Sequence, residues 1–140
     1  MKIIRAYPPI YSTLVTHFPI KGKQNILYAW GDTIFNPSGH PVPQWLHDHE
    51  AVHGQRQLAI AAAAPFSAPI YRWWDQYIMD TQFRLSEEIL AHRAEWKSFV
   101  KHNLTLGKQE DYLRGMVERL SGPLYGKVIS PKAALQEITQ

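Results

Sequence analysis

Beyond residue 43, apolar positions return every three or four residues in long blocks, the spacing of helices that bury one face. The first block runs from about Gln44 to Ala64, with Trp45, Leu46, Leu58 and Ile60 among its apolar positions, and Pro65 stops it. Pro41 and Pro43 suit its start, where a missing N–H leaves no intrahelical bond unmade. A second block begins near Pro69 and extends to about Lys101, carrying Trp73, Tyr77, Phe83, Ile89, Leu90, Trp96 and Phe99. A third fits 108–121, where Leu113, Met116, Val117 and Leu120 share a face before Gly122-Pro123 ends it. Ser130-Pro131 then reads as N-cap and first helical residue of a short last helix, 131–139.

Residues 1–40 show no such period and read as extended and loop-rich. Asn25 to Trp30 is rich in β-favouring residues, Gly31-Asp32 is a turn signal, and Thr33-Ile34-Phe35 resumes an extended pattern. Asn36 to Gly39 closes it as a loop, so a small hairpin or bent edge strand stands directly before the first long helix. The predicted fold class is mainly α (α+β). Two long packed helices are joined by a small N-terminal β hairpin or edge strand and by C-terminal helices. At 140 residues this is one domain with a single core, spanning 1–140 as an extended segment 1–40 and helical segments 43–64, 69–101 and 108–139.

Composition narrows the chemistry. An apolar fraction of 45% with 12% aromatic marks a globular chain, and Trp45, Trp73, Trp74 and Trp96 read as core. Zero cysteines exclude disulfides, thiolate metal sites and a cysteine nucleophile. No uncharged apolar run is long enough to span a membrane; residues 58–71 come nearest and are interrupted by Pro65 and Pro69. The start, MKIIRAYPP, lacks the long apolar region of a secretory signal, so the expected location is the cytoplasm. The net charge of +3 lies in residues 1–40, as Lys2, Arg5, Lys21 and Lys23 against Asp32. No nucleic-acid-binding motif accompanies it, so nucleic acid is not the expected partner.

The chemistry is concentrated in His49-Glu50-Ala51-Val52-His53. On a helix, side chains at i and i+4 stack on one face, so His49 and His53 can aim two imidazoles at one metal ion. Glu50, one residue round from His49, can reach a water on that ion as a general base without being a ligand. Gly54 follows directly. It lowers helix propensity, and is either a point of close backbone or substrate approach or simply tolerated. Catalytic zinc held by two histidines needs a third protein ligand. A histidine six residues after His53 is excluded, because Ala59 stands there and Arg56 occupies the position of the accompanying glycine. The second helix offers Glu87, Glu88 and Glu95. Glu88, His92 and Glu95 fall on one face as an unexpectedly polar stripe, whereas Glu87 is rotated away and expected in solvent.

The combination of HEAVH with Glu88-Ile89-Leu90-Ala91-His92 on a later helix resembles the gluzincin metallopeptidases, in particular the compact minigluzincins. DHEAVHGQRQ, FRLSEEILAHRAEW and LSGPLYGKVIS are also similar to segments of small bacteriophage HExxH proteins, and the likeness covers roughly residues 25–130. The resemblance implies Zn²⁺ held by His49, His53 and Glu88, with Ala91 as the small partner of Glu88 and Glu50 as the catalytic base. His92 stands where many gluzincins carry an Asp that supports a ligand histidine, so that support falls to His92 or is missing. The resemblance further implies a peptide or protein substrate bound as an added strand, with Gly31–Phe35 the matching edge. Tyr112, Tyr125 and Arg93 are able to stabilise an oxyanion, and the sequence selects none of them.

The alternative is a non-catalytic, zinc-stabilised virion or structural protein packaged in a phage particle with other phage proteins. A fourth protein ligand, from His92 or His47, would favour that role. The intact Glu50 favours hydrolysis, because a structural site needs no base.

Overall fold

A computed structural model describes residues 1–63 and 68–140. In chain order the elements are β1 (Lys2–Ile4), α1 (Tyr11–His17), β2 (Tyr28–Trp30), β3 (Thr33–Phe35), α2 (Gln44–Ala63), α3 (Pro69–Met79), α4 (Thr81–His102), α5 (Leu106–Ser121), a 3₁₀ turn (Pro123–Tyr125) and α6 (Pro131–Ile138). The architecture is mainly helical with one small sheet, as the sequence pattern implies. The stop expected at Pro65 lies outside the described residues.

The predicted hairpin is present. β2 and β3 pair antiparallel, with Tyr28 opposite Phe35 and Trp30 opposite Thr33, around a two-residue turn whose Gly31 has φ +60°. Two features were not foreseen. α1 is helical, and β1 adds to the far side of β3 in parallel, Lys2 opposite Thr33 and Ile4 opposite Phe35. The order is therefore β1-β3-β2, which corrects the expectation that Gly31–Phe35 presents an edge. Both edges of β3 are already paired, so it cannot accept another strand.

α2 crosses the hairpin closely. A Cβ on Gly54 would lie 2.1 Å from the Gly31 carbonyl oxygen, so close backbone approach is what this glycine serves. One turn further on, the buried Gln57 amide accepts from Gly31 N at 2.7 Å and donates to Ala29 O at 3.1 Å. It thus satisfies the outer edge of β2 as a neighbouring peptide would.

The single helix expected over 69–101 is two helices. Asp80 is extended (φ −114°, ψ 105°), and its carboxylate accepts from the backbone N–H groups of Gln82 and Phe83, each at 3.0 Å. An aspartate N-cap satisfies orphan donors of a new helix, and here it starts α4 with a change of direction.

Apolar packing forms two clusters. Leu14, Ile20, Tyr28, Trp73, Trp74, Tyr77 and Ile78 join α1, β2 and α3, while Met116, Leu120, Tyr125, Ala134 and Ile138 join α5, the 3₁₀ turn and α6. Helix α4 supplies Phe83 to the first and Leu85, Ile89 and Trp96 to the second. Its stripe toward α2 is mostly polar: Glu87, Glu88, His92 and Glu95 are all buried, with Ala91 fully buried among them, while Arg84 is buried against the Phe18 and Tyr77 rings. α2 runs antiparallel to α4, since His49 meets Glu95 whereas Arg56 meets Glu87. Burying so much charge between two helices is tolerable only if each group is paired.

Candidate metal centre

Between α2 and α4 two histidines approach Glu88, one at each carboxylate oxygen. His49 Nε2 lies 3.6 Å from Glu88 Oε2, and His53 Nε2 lies 3.3 Å from Glu88 Oε1. His49 is 6%, His53 5% and Glu88 3% exposed, so the cluster is shielded from bulk water. Glu88 Oε2 is buried without a hydrogen-bond partner among the described residues. An unsatisfied carboxylate oxygen facing imidazole nitrogens is an arrangement that a cation completes. The structure thus holds a buried His/Glu group that could bind a metal ion.

The ligand atoms that all lie within 4.8 Å of one another among the described residues are those of His49, Glu88 and His92, while His53 reaches only Glu88 Oε1, at 3.3 Å. Both ring nitrogens of His92 have hydrogen-bond partners. His92 Nδ1 is 2.8 Å from the Glu88 backbone oxygen, which only accepts, so Nδ1 carries the proton. Arg119 Nε then donates to Nε2 at 3.3 Å, leaving neither nitrogen a free lone pair. Burial and the charge of His49 lower the His92 pKa to about 3 and keep the ring neutral. His92 braces α4 against α5 through these two contacts. His47 does not close the site. Its Nε2 lies 3.5 Å from the N-terminal amine and its Nδ1 3.8 Å from Asp48.

The support for a ligand histidine comes from Glu95, one of the three carboxylates that the second helix offers as a third ligand. Its Oε2 is 2.7 Å from His49 Nδ1, which orients the ring and turns Nε2 toward Glu88. Its Oε1 accepts from Tyr112 Oη at 2.7 Å and from Arg119 Nη2 at 2.5 Å, so a fully buried carboxylate is satisfied by three donors. His49 and Arg119 hold Glu95 well below the usual carboxylate range against the effect of burial. Burial likewise opposes a charge on His49, but Glu88 and Glu95 outweigh it and raise its pKa to about 10. Tyr77, read from sequence as core, donates from Oη to Glu88 Oε1 at 2.5 Å. No local pattern signals Tyr77 or Arg119, because each reaches the site from another helix.

Glu50 is 8% exposed, and burial raises its pKa despite His49 and His53 nearby. It lies on the wall shared by two cavities. One, of about 80 Å³, is lined by His49, His53 and Glu88 together with apolar residues that include Leu14, Trp73 and Trp74; the other, of about 250 Å³, reaches Lys23, Asn25 and Arg119. Tyr125 lines both.

The remaining candidates fall elsewhere. Tyr112 acts through Glu95 and faces the site only indirectly. Arg93 is remote: its Nε donates to Glu137 O at 2.6 Å and its Nη2 to the Glu137 carboxylate, tying α4 to α6. Glu87 is fully buried rather than solvated, because Arg56 Nε reaches both of its oxygens at 2.6 Å and Trp73 Nε1 donates at 3.1 Å. Among the described residues, no helix is long and apolar enough to cross a membrane. Comparisons with protein-family models, curated proteins and solved structures find no match to the chain.

Proposed function

We propose that the chain is a zinc-dependent peptidase of the gluzincin kind, with His49, His53 and Glu88 as ligands and Glu50 as general base. One observation carries this reading. Two imidazole Nε2 atoms meet the two oxygens of Glu88, one oxygen lacking a hydrogen bond, next to a buried Glu50. Two imidazoles and a carboxylate with no thiolate suit zinc. When bound, zinc would supply a Lewis acid that acidifies a water and polarises a carbonyl.

The chain's own residues divide the remaining work. Glu50 takes the proton of the attacking water and returns it to the leaving amine, a task helped by its raised pKa. Glu95 fixes the His49 ring, and Arg119 with Tyr112 fixes Glu95. Tyr125, whose hydroxyl burial keeps protonated, is the residue on this face suited to donate to the oxygen of the cleaved carbonyl. A peptide side chain would occupy the smaller, apolar cavity, and Glu50 lies between the two cavities.

The test pairs metal content with turnover. Purified protein should carry one zinc per chain by elemental analysis, and His53→Ala and Glu88→Ala should lose it. Glu50→Gln should keep the zinc and abolish cleavage of a mixed peptide library followed by mass spectrometry. Cleavage by Glu50→Gln at the wild-type rate would refute the peptidase reading. Bound zinc with no cleavage of any peptide would leave the ion a structural element.

A further inference from the structure

The two oxygens of Glu88 are not equivalent. Oε1 receives the Tyr77 hydroxyl at 2.5 Å and lies 3.3 Å from His53 Nε2, while Oε2, 3.6 Å from His49 Nε2 and 3.4 Å from His92 Nδ1, has no hydrogen bond among the described residues. His92 cannot serve Oε2, because its Nδ1 proton goes to the Glu88 backbone oxygen at 2.8 Å. The Tyr77 hydroxyl is held in place by its ring, which stacks on Trp73 at 5.0 Å and 23° and is 7% exposed. The Arg84 guanidinium lies over the same ring, 5.8 Å from its centroid.

We propose that Tyr77 is a positioning residue that reserves Glu88 Oε1, so that Glu88 offers a metal ion Oε2 alone. The inference rests on the metal-binding part of the proposed function, not on peptide cleavage. An oxygen that accepts a short hydrogen bond has given up a lone pair and part of its charge, whereas Oε2 keeps both. A carboxylate free to bind through both oxygens fills two positions on the ion. One restricted to a single oxygen leaves the protein supplying three donors and keeps a position open for water and substrate. The asymmetry written into Glu88 is thus a device for holding the site open.

Cobalt(II) reports this directly, because its visible spectrum is intense when four-coordinate and weaker when five-coordinate. Metal-free wild type and Tyr77→Phe, each loaded with one equivalent of cobalt(II), are compared. The phenylalanine keeps the ring packing on Trp73, and circular dichroism checks that the fold is retained. Wild type should give the intense four-coordinate spectrum, and Tyr77→Phe a weaker one with unchanged stoichiometry. Superimposable spectra would overturn the proposal. A crystal structure of the zinc-loaded wild type gives a second test that needs no variant: Oε2 alone should touch the ion, with Oε1 still on Tyr77. Both oxygens, or Oε1 alone, on the ion would overturn it. No metal bound by wild type would overturn it together with the metal site, whereas the expected spectra in a protein that cleaves no peptide would uphold Tyr77 and refute the hydrolase.

Discussion

Replacing Gly54 with alanine adds one methyl group at the crossing of α2 and the β2–β3 turn. The new Cβ would stand 2.1 Å from the Gly31 carbonyl oxygen and 3.0 Å from Met1 Cε, where ordinary contact starts at 3.4 Å. The turn would have to retreat by roughly an ångström, and Gln57 on the same helix holds Gly31 N at 2.7 Å, so the retreat strains a buried hydrogen bond as well. Overpacking against a backbone atom that cannot swing aside falls in the upper part of the usual range, about 2–3 kcal/mol. Alanine returns at most about 1 kcal/mol of helix propensity. The expected net loss is about 1–2 kcal/mol, or about 3–8 °C in the unfolding midpoint for a chain of this size. Thermal unfolding of metal-free protein measures it, with Gly115→Ala in α5 as the control. A Cβ at Gly115 meets nothing within 4 Å, so that variant should gain stability. A Gly54→Ala protein as stable as wild type, with Gly115→Ala behaving as expected, would refute the claim that the turn's carbonyl oxygen dictates glycine here.

Three further outcomes separate the site from its frame. Glu95→Gln removes the charge that His49 and Arg119 share; zinc affinity should fall about 10–100-fold and stability by about 3 kcal/mol, read by competition with a chelator and by urea unfolding. Unchanged affinity would show that His49 needs no support. Glu87→Ala strands Arg56 and the buried Trp73 indole N–H and should cost about 3 kcal/mol in urea unfolding while one zinc per chain is kept; a loss under about 1 kcal/mol would count against a structural role. Arg93→Ala should lower stability by only about 1 kcal/mol and leave zinc content and peptide cleavage unchanged, because its partners sit on α6 and at the C-terminus. A drop in kcat would return Arg93 to the reaction.

What the sequence reveals depends on how local each interaction is. His49 and His53 share a face by helical spacing, and Glu88 is marked by its polar stripe and by the family resemblance. The hairpin and the Ser130-Pro131 helix start are equally local signals, and both are found. Helical spacing from the stripe through Glu88 turns Glu87 outward, whereas Arg56 and Trp73, on two other helices, draw it inside. Arg119 and Tyr77 stand 24 and 11 residues from the carboxylates they hold, and no period in the chain links them. β1 is three residues long, too short to show a period, and its partner β3 lies some thirty positions away. Asp80 did carry a signal, a good N-cap residue inside a helical block, but the apolar rhythm on either side hides the break.

Gln57 has a consequence beyond the site. A sheet of three short strands has two rims, and an unpaired rim is where copies of a protein stick to one another. Along β2 the Gln57 amide occupies the carbonyl of Ala29 and the N–H of Gly31, leaving an incoming strand no ladder to extend at those positions. The opposite rim, β1, is three residues long and begins with an exposed lysine. One side chain on α2 thus acts as a plug against fibre-like stacking of this sheet, and its replacement by leucine would be read first in the protein's solubility.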